Sequence, residues 1–189
     1  MARCYSATMR QRHPQLPTIW LISDARNDAG LPSALVRLPR GGGFIYRHYH
    51  LPPAERRARF TALARIARAR GIAVVIAGPM AKARAWGADG VYGAASMITP
   101  GVAGLRLATV HSLREMRRAG RADAVLLSPV FPTRSHPGGD VLGPVRFRRM
   151  AHHSPVPVIA LGGMNARQAR RLGWARWAAI DGLTPAAGR

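Results

Sequence analysis

Apolar residues in this chain fall in short, nearly unbroken runs separated by helix-like stretches. The runs at 19–23, 43–49, 73–77, 90–92, 106–111, 124–130, 156–161 and 177–180 read as eight strands. Runs such as AVLLSPV and VPVIALGG lack polar alternation, the pattern of parallel strands covered by helices on their outer side. The clearest helix is 53–70. In it Phe60, Leu63, Ala64 and Ala67 recur at helical spacing, Arg56, Arg57, Arg59 and Arg68 fall among the polar positions, and Gly71 supplies the stop. Ser112 and Asn165 are good N-caps for helices at 113–118 and 166–172, the second ending at Gly173.

Strand and helix alternate throughout, which predicts an α/β fold of the (β/α)₈ TIM-barrel type. With 189 residues it is a small one. The stretch 96–104 is poor helix material, and only TPAAGR follows the last strand region, so the last helix is expected to be shortened or missing. A flank left bare by that loss would be apolar and would favour a homodimer. An open doubly wound sheet is the other fold with this alternation, but no GxGxxG follows the first strand. Residues 1–17 are basic, contain no acid and lack the apolar core of a secretory signal. They read as a flexible tail ahead of a single domain over 18–189.

Composition changes this picture little. A single cysteine, Cys4, excludes an internal disulfide framework and a Cys-rich zinc site; no apolar run reaches the ~20 residues of a membrane helix, and the cytoplasm is the expected compartment. The net charge of +21 raises a nucleic-acid partner. However, all the basic residues but Lys82 are arginines spread along predicted helices, and aromatics are only 6%. That is a poor base-stacking platform, so no specific nucleic-acid partner is expected.

In a parallel barrel the chemistry collects at the C-terminal strand ends. Thr109 and His111 share one face of the fifth strand, and an inward face puts His111 at the rim. There it is a candidate acid or base, or else a histidine that merely bonds a neighbouring carbonyl. Gly162-Gly163 before a helix start is a phosphate signal, with Asn165 beside it; the same residues also make an ordinary tight turn. The eighth strand ends in Asp181-Gly182. Arg47 on the second strand is either an anion clamp or the ion-pair partner of Asp24. His48 and His50 share a face and read as structural or exposed, with no third ligand nearby for a metal. The loop after the sixth strand, PTRSH, offers Thr133, Arg134, Ser135 and His136 over the mouth, as ligand donors or as a solvated loop.

The stretches LATVHSLREMRRAGRADAVLLSPVFPTRSHPG and VPVIALGGMNARQARRLG, with WLISD and WGADGVYG before them, resemble the thiamine-phosphate synthase superfamily, which includes the TenI-type thiazole tautomerases. The resemblance is strongest from 105 to 179 and implies a TIM barrel. The synthases join a pyrimidine pyrophosphate to a thiazole phosphate with magnesium. Where they carry Gln-x-Arg-x-Lys on strand two, this chain keeps only Arg47. Where they carry Asn-Asp after strand three, it has Ala77-Gly78. The segment GAASM lacks their next Asp, and His136 and Ser135 stand where they place Lys and Thr. The tautomerases need no metal or other cofactor: they move a proton so that a thiazole carboxylate phosphate becomes aromatic. By this resemblance His111 is the acid/base. The resemblance also implies that Gly162 and Gly163 help hold the phosphate. The strand-end reading adds Arg47, Thr109, Thr133, Arg134, Ser135 and His136 as expected substrate contacts, and Asn165 and Gly182 beside the phosphate. Asp181 stands where the family often has Ser, and a carboxylate there repels phosphate unless a cation intervenes. The expected function is a metal-independent isomerase in thiamine biosynthesis. The alternatives are a divergent synthase using Mg, or an inactive barrel that binds a phosphorylated ligand or nucleic acid.

Overall fold

The computed structural model describes residues 15–98, 103–135 and 137–184. Among them eight strands close a parallel barrel in sequence order: β1 (Ile19–Ile22), β2 (Gly43–Tyr46), β3 (Ala73–Ala77), β4 (Gly90–Ala94), β5 (Leu105–Val110), β6 (Ala124–Leu127), β7 (Val158–Ala160) and β8 (Trp177–Ala179). β8 closes onto β1 with Trp20 opposite Ala178. Six α-helices follow: α1 (Leu31–Arg37), α2 (Pro53–Ala69), α3 (Met80–Trp86), α4 (Leu113–Arg118), α5 (Gly143–His152) and α6 (Ala166–Leu172). Among the described residues, β4 is followed by a 3₁₀ turn, Ala95–Met97, and β8 by another, Asp181–Leu183. Residues 99–102 of the stretch expected to be poor helix, and most of the expected tail, lie outside the described residues. Within that tail Leu16 packs against the barrel interior, and the Pro17 carbonyl accepts the Trp20 indole N–H at 2.9 Å.

Side chains alternate along each strand, so the core has two layers. Trp20, Ile22, Ile45, Val75, Leu107, Leu126, Ile159 and Ala178 fill the barrel. Leu21, Phe44, Val74, Val110 and Val125 point outward beneath the helices. The apolar stripe of α2 is buried as its spacing predicts. Phe60 is wedged between Tyr46 and Trp86, with ring centroids 5.4 and 5.3 Å away, and its burial contributes roughly 2 kcal/mol.

Three expectations need correction. Arg56 is not a solvated helix position: it is 9% exposed, because Nε donates to the Arg47 carbonyl at 2.9 Å and Nη2 to the Ala77 carbonyl at 2.8 Å. The flank beside β8 is not bare, since outward-facing Trp177 and Ala179 are 5% and 4% exposed. Strand two stops at Tyr46, so Arg47 and Tyr49 lie beyond it. His48 takes a φ of +39° there, outside any strand conformation. Among the described residues no helix is long and apolar enough to cross a membrane.

Candidate active site

His111 sits one residue past β5, on the inward face set by Leu107 and Thr109. Its backbone N–H donates to Glu115 at 2.7 Å, and the Glu115 N–H in turn donates to Ser112 at 3.2 Å, so the start of α4 fixes the histidine's main chain. The imidazole Nδ1 lies 3.0 Å from the Ser128 carbonyl and 3.2 Å from the Ser128 hydroxyl. A carbonyl only accepts, so the neutral ring carries its hydrogen on Nδ1 and its lone pair on Nε2. Nε2 has no hydrogen-bond partner among the described residues. The carbonyl bond that one sequence reading gave this histidine is present, and it leaves the ring at the rim with Nε2 toward the cavity it lines.

Arg47 places Nη2 3.3 Å from Asp24 Oδ2, while its Nε is buried without a hydrogen-bond partner among the described residues. Beneath it lies a closed relay. The Arg47 N–H donates to the Ser23 hydroxyl at 2.8 Å, and that hydroxyl lies 2.8 Å from His48 Nδ1. His48 Nε2 is 2.6 Å from Asp28, which also accepts from Arg59 Nε at 2.8 Å. With Ser23 already accepting from Arg47, its own hydrogen goes to Nδ1, and a neutral His48 donates from Nε2 to Asp28. His48 is 1% exposed and stacks on Tyr46 at 4.7 Å. Both histidine nitrogens are therefore committed, and the relay holds the backbone that aims Arg47.

Burial, the largest influence on His48, pushes its pKa down against the pull of Asp28. On Asp28 burial works upward, but the hydrogen bonds from Arg59 and His48 outweigh it and hold the carboxyl below its ordinary range. Both groups bind fewer protons folded than unfolded, so stability decreases as the pH is lowered. The His48 contribution is lost first, as pH drops below about 6.5 toward its folded value, and the Asp28 contribution follows as pH falls below about 3.9. Denaturation midpoints measured from pH 8 to 4 are expected to fall on acidification, and His48→Asn is expected to flatten the upper part of that slope.

The loop after β6 packs directly on the glycine pair after β7. The Val130 N–H donates to the Leu161 carbonyl at 2.9 Å and the Phe131 N–H to the Gly162 carbonyl at 3.1 Å. A Cβ on Gly162 would lie 2.6 Å from Pro129 Cα, and one on Gly163 would lie 2.5 Å from the Pro132 carbonyl oxygen. Gly163 has a φ of +63°. The pair is thus required by loop packing, a role the sequence reading did not include. Asn165 Oδ1 caps α6 by accepting from the Gln168 N–H at 2.9 Å, which leaves its NH₂ as the donor group.

These elements enclose a cavity of about 740 Å³ at the C-terminal barrel mouth. His111, Thr109 and Arg47 line one side of it, and Thr133, Arg134 and Ser135 line the β6 loop side. Gly162, Gly163, Asn165 and Gly182 line the β7–β8 side. His136 lies outside the described residues. Thr109 Oγ1 donates to the Gly93 carbonyl at 3.3 Å, and Thr133 Oγ1 accepts from the Ser135 N–H at 3.3 Å.

Sequence reasoning missed Tyr92, Ser128 and Arg26. Tyr92, midway along β4, lines the cavity; burial pushes its phenol up, with Arg47 opposing. Arg26 contacts Asp24, Ser135 and Asp181. The run LLSPV could have pointed to Ser128 at a strand end, whereas nothing local marks Arg26.

The family model described as thiamine monophosphate synthase, TMP-TENI, matches residues 19–183. The chain belongs to this family. Its members are enzymes of thiamine biosynthesis, and the barrel seen here is theirs. No curated protein matches. Among solved structures, the thiamine phosphate pyrophosphorylase from Pyrococcus furiosus is similar at TM-score 0.72 and 24% identity, over 92% of this chain and 88% of that one. The same-named protein from Bacteroides thetaiotaomicron gives 0.57 and 16%, over 87% and 83%. A HpcH/HpaI aldolase/citrate lyase family protein from Burkholderia cenocepacia gives 0.61 and 15%, over 94% and 93%. At these identities the likeness is one of fold.

Magnesium, the ion a synthase would use, needs hard oxygen ligands. Asp24 is engaged by Arg26 and Arg47 and Asp181 by Arg26, Asp140 also lines the cavity on the β6 loop side, and the described residues contain no group of three or more His, Cys, Asp or Glu that could hold a metal ion. The ends of β3 and β4 offer Ala77-Gly78 and Ala94–Met97, which bring no carboxylate.

Proposed function

We propose that this TMP-TENI member is an isomerase: a metal-independent thiazole tautomerase acting on a thiazole carboxylate phosphate. The observation that carries this reading is the His111 geometry. The Ser128 carbonyl fixes the proton on Nδ1 and leaves the Nε2 lone pair as a base at the wall of a cavity rich in anion-binding groups. His111 takes a proton from the non-aromatic ring carbon and, as imidazolium, returns one to the far end of the conjugated system. Atoms and charge balance, and no co-reactant is consumed. Arg47 and Arg134, with Ser135, hold the carboxylate, while Thr109 and Thr133 contact the ring. Backbone N–H groups at Gly162, Gly163 and Gly182 and the Asn165 amide hold the phosphate.

The family description names a synthase, so the decisive comparison uses one preparation in two assays. With the thiazole carboxylate phosphate and EDTA, the aromatic tautomer is expected to form. With pyrimidine pyrophosphate, thiazole phosphate and magnesium, no thiamine phosphate is expected. Magnesium-dependent coupling without tautomerisation would overturn the proposal in favour of a transferase.

A further inference from the structure

Asp181 immediately precedes Gly182, so the proposed phosphate site has a carboxylate at its edge. An anion entering there meets a like charge. Arg26 answers it from the loop after β1. Its Nη1 lies 3.7 Å from Asp181 Oδ2, its Nη2 donates to Ser135 Oγ at 2.9 Å, and its Nε donates to Asp24 Oδ1 at 2.8 Å. One planar guanidinium thus joins the loops after β1, β6 and β8, using three separate nitrogens. Asp24 in turn meets Arg47 at 3.3 Å. The four charges Arg26, Arg47, Asp24 and Asp181 sum to zero, so an incoming anion meets a compensated set in place of a lone negative charge, even though the Asp181 side chain stays 42% exposed.

We propose that Arg26 is a positioning residue that determines anion acceptance: it masks Asp181 so that phosphate can occupy the backbone site at Gly163 and Gly182, and it draws the Ser135 loop over the mouth. The inference rests on the phosphate placement proposed above. It also predicts that the harm of removing Arg26 comes from Asp181 and disappears when Asp181 loses its charge.

The test is titration of the ¹⁵N-labelled full chain with inorganic phosphate, following the Gly163 and Gly182 amide resonances; the same spectra report folding. The wild type is expected to show saturable shifts at these amides. Arg26→Ala weakens phosphate binding about tenfold or more, the scale of one part-exposed charge. Arg26→Ala with Asp181→Asn returns to within about threefold of wild type, and Asp181→Asn alone changes binding less than about threefold. Arg26→Lys keeps the charge but not the fork. It is expected to bind phosphate nearly as wild type does, which keeps the test decisive if Arg26→Ala does not fold. Unchanged binding in Arg26→Ala, failure of the double variant to recover, or a tenfold loss in Arg26→Lys overturns the inference and leaves the phosphate site standing. Absence of wild-type shifts at these amides overturns the phosphate placement, and the inference with it.

Discussion

Replacing His111 by alanine is expected to lower kcat for tautomerisation by about 10²–10⁴-fold, the usual contribution of a positioned acid/base, with the fold intact. The side chain is exposed at the rim; alanine gives up its contacts to Ser128 but keeps the backbone N–H bond to Glu115 that fixes the main chain here. KM is expected to change little, because the anion-holding groups lie elsewhere around the cavity. His111→Gln should not recover the rate, since an amide can occupy the Ser128 carbonyl but cannot accept and return a proton at neutral pH. Steady-state kinetics with a thermal melt on each variant checks both points. Equal kcat in wild type and His111→Ala would remove this residue from the chemistry.

Gly163→Ala is expected to disturb the site through the backbone. The residue holds a φ of +63°, where an L side chain costs about 1–2 kcal/mol. The new Cβ would also meet the Pro132 carbonyl oxygen at 2.5 Å and the Phe131 Cβ at 2.8 Å. Neither neighbour is the far end of a flexible side chain, so the β6 loop must shift. That loop carries Thr133, Arg134 and Ser135, and a displacement of about 1 Å at a reacting group costs about 10²-fold in rate. The expected result is a Tm lower by roughly 4–8 °C, at about 2–4 °C per kcal/mol for a domain of this size, with kcat/KM down about 10²-fold. A variant with unaltered Tm and activity would show that the loop can give way at no cost.

The barrel was legible in the sequence because strands covered on both faces need apolar residues at every position. Runs such as AVLL in β6 can hardly be anything else in a chain that alternates with helices. The helix stops were equally plain, Gly173 taking the left-handed conformation its position after α6 suggested. What local pattern could not show were contacts fixed by distant residues. β2 ends at Tyr46 because Ser23 and Asp28, from another loop, clamp His48 in a non-strand conformation. Arg56 reads as solvent-facing in its helix, yet the Arg47 and Ala77 carbonyls are within its reach. Most of the candidate mouth residues could be named because strand ends converge in this fold. Arg26 could not, since its three partners come together only when the loops after β1, β6 and β8 close on one another. Asp181 was visible as a conflict, and the cation that resolves it was visible only in three dimensions.

The most direct test of acid/base isomerisation in this cavity is the absorbance change as the thiazole carboxylate phosphate becomes aromatic, followed with wild-type protein in EDTA and with buffer alone. The prediction is a rate well above buffer, proportional to protein and indifferent to EDTA. A rate no faster than buffer would contradict it.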